Sequence, residues 1–141
     1  MAGDKEKGDG DIRRDFPGGW AKDKRNAFIA NARTEQENEA FNFIKKLMNW
    51  RKVNPVIHSG KTMQFVSENN CYVYFRYNPE KTVMVIINSH DTESRKLDTK
   101  RFAERMRGFT SGYDIISEKT LSDLSTIEIP AKTSMIIELK P

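Results

Sequence analysis

From Val56 to its end, the chain shows one short strand-like run after another, and turn residues separate the runs. Six runs have the alternating or apolar character of strands: 62–66, 71–77, 83–87, 113–117, 126–129 and 133–139. The run at 83–87 is apolar on both faces and is therefore predicted to be a central strand that is covered on both sides. A hairpin loop at 78–81 precedes it. Short strands at this spacing predict a mainly β fold, an antiparallel β-sandwich.

One long helix is predicted before these strands, over residues 36–54. Its apolar residues recur at helical spacing: Ala40, Phe41, Phe43, Ile44, Leu47, Met48 and Trp50. They cover about half of the helix circumference, so packing on two sides is expected. Arg51 falls within this apolar face and is expected to be buried with a carboxylate or carbonyl partner. The helix should end at Asn54, because the residue before Pro55 avoids the α region.

Composition restricts the classes to which the protein can belong. The 141 residues make about one domain, too short for a complete (β/α)₈ barrel of roughly 250 residues. No run approaches the ~20 apolar residues of a membrane span, and the single Cys71, expected to be a passive strand thiol, excludes an intrachain disulfide. The net charge of +4 weakly favours an anionic partner, but the basic residues are spread among acidic ones. Neither nucleic acid nor membrane is therefore predicted as a partner.

Residues 1–35 differ from the rest because they follow neither helical nor strand periodicity. They hold five of the eight glycines and 15 charged residues, so they are either disordered or a functional loop removed from its context. Residues 8–20 do not match an EF-hand calcium loop. If Asp9 is position 1 of the loop, position 12 is Trp20, whereas the EF-hand requires glutamate there. The arginines, acids and aromatic residues of this segment are typical of a sugar-binding loop. The alternative is that Phe16 and Trp20 fill a core while the charges pair with each other.

Motifs for independent catalysis or for a cofactor are not found. The sequence has no P-loop, no dinucleotide-binding glycine motif and no G-x-S-x-G motif. Its two histidines, His58 and His90, lack a second ligand at the spacing of a zinc site. The Asn-Ser-His-Asp run at 88–91 is a candidate sugar or metal site, but its composition is that of a turn, which is favoured. No cofactor and no metal ion are predicted.

Two groups of motifs occur in a fixed order along the chain. The first group lies in the loop and the helix: Arg14-Asp15-Phe16-Pro17-Gly18-Gly19-Trp20, Asn26-Ala27-Phe28, Arg33-Thr34, Gln36-Glu37-Asn38-Glu39 and Trp50-Arg51-Lys52. The second group lies in the strand region: 72–76, 83–88, 127–132 and 135–139. In this order and spacing they resemble the C-terminal third of α-amylase-family glycoside hydrolases, nearest to the neopullulanase or cyclomaltodextrinase type.

This resemblance implies a fold for each part of the chain. Residues 1–35 correspond to the loop after strand eight of a (β/α)₈ barrel, and residues 36–54 correspond to barrel helix eight. Residues 56–141 correspond to the C-terminal β-sandwich of the family, which is of the Greek-key type. The domain parts are then 1–54 and 56–141, and the chain is a C-terminal fragment of an enzyme that acts on α-glucans.

The resemblance also implies that the chain is not an enzyme on its own. The family is retaining, and its two catalytic carboxyl groups, about 5–5.5 Å apart, lie with a third on barrel strands that are absent here. Residues 88–91 lie downstream of the family's Asn-His-Asp motif and carry an inserted serine, so no catalytic residue is assigned. Arg14, Asp15 and Trp20 belong to a loop at the substrate-binding end of the barrel. They are predicted either to contact sugar in the parent enzyme or to brace neighbouring loops.

A freestanding carbohydrate-binding β-sandwich is the alternative function, with Trp20, Tyr72, Tyr74 and Tyr77 stacking on sugars. Against it, Tyr72 and Tyr74 point to one face of their strand and Tyr77 to the other. The predicted partners of the fragment are α-glucan oligosaccharides through the parent enzyme, the missing barrel, and a second copy of the chain that covers the exposed side of the helix. The compartment stays open, and the resemblance implies a bacterial-type cytoplasmic or periplasmic parent.

Overall fold

The computed structural model describes residues 4–13 and 15–141. The helices are α1 (Asp9–Ile12), α2 (Glu35–Lys52), α3 (Pro55–Ser59) and α4 (Ala103–Met106), and 3₁₀ helices span Lys5–Lys7, Ala30–Ala32 and Thr99–Phe102. The strands are β1 (Lys61–Gln64), β2 (Cys71–Tyr77), β3 (Thr82–Asn88), β4 (Arg95–Asp98), β5 (Ser111–Asp114), β6 (Lys119–Leu121), β7 (Thr126–Ile129) and β8 (Thr133–Lys140). The chain divides into two compact units, Met1–Lys46 and Leu47–Pro141. None of the helices in the described residues has the length and apolar character to cross a membrane.

The strands of the second unit form two antiparallel sheets. The first sheet has six strands in the order β1-β2-β3-β8-β5-β6, and the second pairs β4 with β7. The chain therefore leaves the large sheet after β3 to form β4, returns to it for β5 and β6, leaves it again for β7, and returns with β8, which pairs with both β3 and β5. This architecture confirms the predicted mainly β fold, an antiparallel β-sandwich.

The core of the sandwich lies between these two sheets. It contains side chains from both sheets, from the helical segment that precedes β5 and from the loop between β6 and β7: Val73, Phe75, Met84, Ile86, Phe102, Met106, Leu124, Ile127, Ile129, Ile137 and Leu139. Six of the seven residues of β3 are buried, which confirms that it is a central strand covered on both sides. Cys71 is also buried, and burial raises the pKa of its thiol, as expected for a passive strand cysteine.

The predicted elements agree with the observed ones best where the apolar pattern is strongest. The runs at 71–77 and 126–129 coincide with β2 and β7, and the other four predicted runs overlap β1, β3, β5 and β8. Between β4 and β5 the chain forms the third 3₁₀ helix and α4. Strands β4 and β6 were not predicted, because each is short and contains a single apolar residue, Leu97 or Leu121.

The end of the long helix differs from the prediction. α2 ends at Lys52, two residues earlier than expected, and Asn54 closes the end by donating to the carbonyl of Trp50 at 2.7 Å. Pro55 then starts α3 instead of a strand region, because the first position of a helix does not need an N–H group. The expectation of a buried guanidinium was wrong, since Arg51 is exposed.

In the first unit, α2 begins with a capping box. The Thr34 hydroxyl accepts a hydrogen bond from the N–H of Glu37 at 3.2 Å, and the Glu37 carboxylate accepts one from the N–H of Thr34 at 2.8 Å. The same carboxylate forms an ion pair with Arg25. These contacts fix the point at which the irregular segment ends and the helix begins.

We expect the Glu37 carboxyl group to titrate at a lower pH than an ordinary glutamate. The hydrogen bond from the Thr34 N–H, followed by that from Arg25, lowers the pKa of Glu37. Because the folded pKa lies below the unfolded one, the cap stabilises the fold above the unfolded pKa, and this contribution is lost as the pH falls through the folded pKa. A ¹³C NMR titration measures the midpoint, which Arg25→Met should raise only in part. An ordinary midpoint in the unsubstituted chain would contradict the capping box.

Candidate functional site

The segment at 15–28 is held in shape by its own hydrogen bonds. One carboxylate oxygen of Asp23 accepts from the N–H groups of Gly18, at 2.8 Å, and Trp20, at 3.1 Å. Gly18 has a φ of 95°, and a Cβ atom at this position would lie 2.5 Å from the side chain of Asn26. Only glycine therefore fits between the two parts of the loop. The family-like sequence motif corresponds to a defined backbone turn.

Two of the three predicted sugar-contact residues lie on this turn. Asp15 and Trp20 are exposed, and Arg14 lies outside the described residues. Trp20 exposes 68% of its surface and Phe16 exposes 59%, although the Phe16 ring contacts Phe28 at a centroid distance of 5.1 Å. In the described part of the chain, neither aromatic residue of the motif fills a core. The Trp20 side chain is thus available for stacking on a ligand.

The tyrosines of β2 divide between the two faces of the large sheet. Tyr72 and Tyr74 lie side by side on the outer face, with ring centroids 5.7 Å apart, and burial raises the pKa of Tyr74. Tyr77 packs against the core between the sheets, and the guanidinium of Arg105 lies 4.2 Å from its ring centroid. The predicted division of these tyrosines is confirmed. Of the three, only Tyr72 and Tyr74 can form one stacking surface.

The Asn-Ser-His-Asp run forms a turn at the end of β3. The side-chain oxygen of Asn88 accepts from the N–H of His90 at 3.0 Å, and His90 Nδ1 accepts from the N–H of Glu93 at 2.9 Å. Asp91 forms an ion pair of 2.9 Å with Lys132. These side chains satisfy the backbone of the turn, as the favoured interpretation of this run requires. Among the described residues, no three His, Cys, Asp or Glu side chains are grouped so that they could hold a metal ion.

A groove of about 400 Å³ lies between the end of α2, α3 and the outer face of the large sheet. This groove was not predicted from the sequence. Its lining includes Leu47, Met48, Arg51, Tyr74, Arg76 and Ile136. Next to it, one carboxylate oxygen of Glu138 accepts from the indole N–H of Trp50 at 2.8 Å and from the Lys81 ammonium at 3.0 Å. The one feature of the sequence that pointed to this groove was Arg51, an arginine within the apolar face of the helix. The contact between the helix end and the sheet joins distant segments, so no local sequence pattern predicts it.

Comparison with known proteins shows to which family the strand region is similar. Residues 62–138 match the model of the family described as cyclo-malto-dextrinase C-terminal domain. The fold is similar to that of AmyP in complex with maltose, with a TM-score of 0.61 and 14% identity, over 74% of this chain and 21% of that chain. It is similar to the α-amylase from Geobacillus thermoleovorans complexed with acarbose, with a TM-score of 0.59 and 15% identity, over 77% of this chain and 24% of that chain. For an Anoxybacillus α-amylase the TM-score is 0.58 at 18% identity, over 74% of this chain and 23% of that chain.

At these identities, the likeness to the solved structures shows the fold. The chain spans between a fifth and a quarter of the length of these proteins. The family match shows family membership as well as fold, because it covers more than half of the chain and includes most of both sheets. It confirms the resemblance to the C-terminal part of α-amylase-family glycoside hydrolases. The chain belongs to the cyclo-malto-dextrinase C-terminal domain family.

Proposed function

We propose that this chain is the C-terminal part of a longer, retaining glycoside hydrolase that cleaves α-glucosidic bonds, of the neopullulanase or cyclomaltodextrinase type. In that enzyme it acts as a structural and accessory domain. The observation that carries the proposal is that the family match falls on a C-terminal domain, while the chain spans only 21–24% of three solved proteins with this fold. In this proposal the chain alone has no catalytic activity, because the carboxylates that cleave the bond belong to barrel strands upstream.

The apolar side chains of α2 support the assignment of residues 1–54 to a barrel. Phe41, Phe43, Ile44 and Met48 each expose between 44% and 53% of their surface. So many large apolar side chains exposed on one helix are uncommon on a protein that acts alone, and they mark a surface that another part or partner covers. We assign this cover to the barrel of the parent enzyme.

Without the barrel, the purified chain is expected to self-associate through the same side chains. Burial of apolar surface drives the association, so it should weaken when the surface becomes polar. Light scattering over a concentration series should show dimers or larger species, and the double variant Phe41→Ser, Ile44→Ser should shift the distribution toward monomer. A strictly monomeric chain at all concentrations would contradict this expectation.

In the parent enzyme, we assign Asp15 and Trp20 to sugar contact, together with Arg14. The exposed Trp20 indole supports this assignment, because an indole stacks on the apolar face of a pyranose ring, and the turn that carries it is fixed by Asp23. Trp20→Ala in the longer enzyme should raise KM for maltooligosaccharides about tenfold, which corresponds to roughly 1.4 kcal/mol. Phe28→Ala, at an equally exposed ring, is the matched control.

Two observations test the proposed function. The reading frame upstream of Met1 should continue and encode three barrel-strand motifs, each with a catalytic carboxylate. The purified 141-residue chain should not hydrolyse maltooligosaccharides, cyclodextrin or pullulan. Sustained hydrolysis that persists through further purification, or a gene that encodes only these residues, would overturn the proposal.

A second candidate is a freestanding carbohydrate-binding module. The observation that favours it is the pair of Tyr72 and Tyr74 on the outer face of the sheet. Titration calorimetry of the chain with soluble α-glucans separates the two candidates. Binding that is lost in Tyr72→Ala but kept in Trp20→Ala would support the sheet surface as a binding module, and absence of heat at millimolar ligand would eliminate it.

A further inference from the structure

The groove at the end of α2 contains two guanidinium groups and no acidic residue. The terminal nitrogens of Arg76 donate to the hydroxyl of Thr62 and to the carbonyl of Ile57, the latter at 2.9 Å. Both acceptors are neutral, so no described residue balances the charge of Arg76. Its Nε atom is enclosed by protein and has no hydrogen-bond acceptor among the described residues. Because the Nε atom is enclosed, a ligand in the groove does not contact it, and the feature that a ligand can offset is the partly buried charge of Arg76, which is costly without a counter-ion.

The second cation of the groove is Arg51, in the last turn of α2. It is exposed and forms no ion pair with any residue that the structure describes. The Glu138 carboxylate lies next to the groove, and its accepting oxygen is shared by Trp50 and Lys81. Neither guanidinium of the groove therefore forms an ion pair with a residue that the structure describes.

The remaining lining of the groove is apolar, with Met48, Ile57, Val85 and Ile136 among its residues. A sugar would need acceptors as well as donors, because each hydroxyl group both donates and accepts. This groove offers guanidinium donors and hydrocarbon, with the Tyr74 hydroxyl as the main acceptor. Its chemistry is complementary to a carboxylate that is flanked by apolar side chains, since guanidinium and carboxylate form the strongest charge-assisted hydrogen bonds.

We propose that the groove receives an acidic side chain, with apolar neighbours, from the preceding part of a longer polypeptide, and that Arg51 and Arg76 bind its carboxylate. This inference rests on the proposed function, in which the chain is one part of a larger enzyme. AmyP, whose fold is similar over 74% of this chain, is a much longer polypeptide, because this chain spans only 21% of its length. A longer polypeptide of this kind could supply such a segment. The contact would fix the sandwich against the rest of the enzyme.

The test uses the chain itself and two matched peptides, acetyl-leucyl-glutamyl-leucinamide and its glutaminyl analogue. Arginine Nε–Hε signals are followed by ¹H–¹⁵N NMR, and Arg76→Lys identifies the Arg76 signal. The glutamyl peptide should shift the signals of Arg51 and Arg76 with saturation, and the glutaminyl peptide should bind about tenfold more weakly. Arg51→Met and Arg76→Met should each weaken binding of the glutamyl peptide, while Arg107→Met, at an exposed arginine outside the groove, should not.

Several results would overturn the inference. Equal affinity for the two peptides would show that the charge is not recognised, and absence of any shift would show that the groove binds no such segment. Met48 lines the groove and is also one of the side chains through which the chain is expected to self-associate, so the titration is repeated in the Phe41→Ser, Ile44→Ser variant. A shift produced by dilution of this variant would assign the groove to a second copy, and a larger shift with maltoheptaose would assign it to sugar. If Arg76→Met does not fold, the exposed Arg51→Met still decides the test. Hydrolysis and reading-frame results test the proposed function separately, because this experiment needs no parent enzyme.

Discussion

Replacing Phe102 with alanine is expected to remove about 3–5 kcal/mol from the free energy of unfolding of the sandwich unit. The Phe102 side chain is fully buried, and its ring packs edge-on against Phe65 at 4.8 Å between centroids and lies 6.2 Å from Phe75. Alanine leaves a cavity that the close-packed neighbours fill only in part. Because a domain is typically stable by only about 5–15 kcal/mol, this loss is a large share of the total.

Urea unfolding followed by circular dichroism measures the effect of Phe102→Ala. The matched control is Phe28→Ala, in which the same atoms are removed from a ring that is largely exposed. The control should change the stability by less than about 1 kcal/mol. If Phe102→Ala cost no more than the control, the proposed centre of the core would be wrong.

The second large effect is expected for Asp114→Ala, at about 3 kcal/mol, because three backbone N–H groups lose a charged acceptor. The buried carboxylate accepts from Ile136 at 2.9 Å and Ile116 at 3.3 Å through one oxygen, and from Ser117 at 3.0 Å through the other. It therefore joins the turn after β5 to the strand that pairs with β5. Alanine has no group that replaces these bonds.

Two further variants show whether the hydrogen bonds cause the loss. Asp114→Asn keeps the oxygen that serves two of the three N–H groups and should lose clearly less stability than Asp114→Ala in urea unfolding. Asp91→Ala removes an exposed carboxylate that pairs with Lys132 and should change the stability by less than about 1 kcal/mol. Equal losses for the alanine and asparagine variants of Asp114 would contradict the role of the accepted bonds.

The strands that could be predicted are those whose buried face is shown by the pattern of apolar residues in the strand itself. In β2 the alternation places Val73 and Phe75 toward the core between the sheets and Tyr74 on the opposite face. In β3 both faces are apolar, since Met84 faces the second sheet and Val85 faces α3. The strands that were missed, β4 and β6, have no such pattern in their residues. They are strands because their backbones pair with neighbouring strands, which their own residues do not indicate.

The candidate sites show the same division. The motif that carries Asp15 and Trp20 was recognised in the sequence as part of an irregular segment, and the structure shows that short-range hydrogen bonds hold it in a turn. The exposure of Trp20 needed the structure. The groove with Arg51 and Arg76 could not be predicted, because it forms where a helix end meets a sheet, and the two arginines are 25 positions apart in the chain.

By itself, the sequence determined the family of this protein, its mainly β class, its long helix and the faces of its strongest strands, since each of these follows from local periodicity or from an ordered set of motifs. The tertiary structure alone decided that β8 pairs with β3 and β5, that residues 55–59 are helical and that two arginines share a groove. Segments far apart in the chain form these contacts, and a strand's own residues do not specify the strand to which its N–H and carbonyl groups will bond.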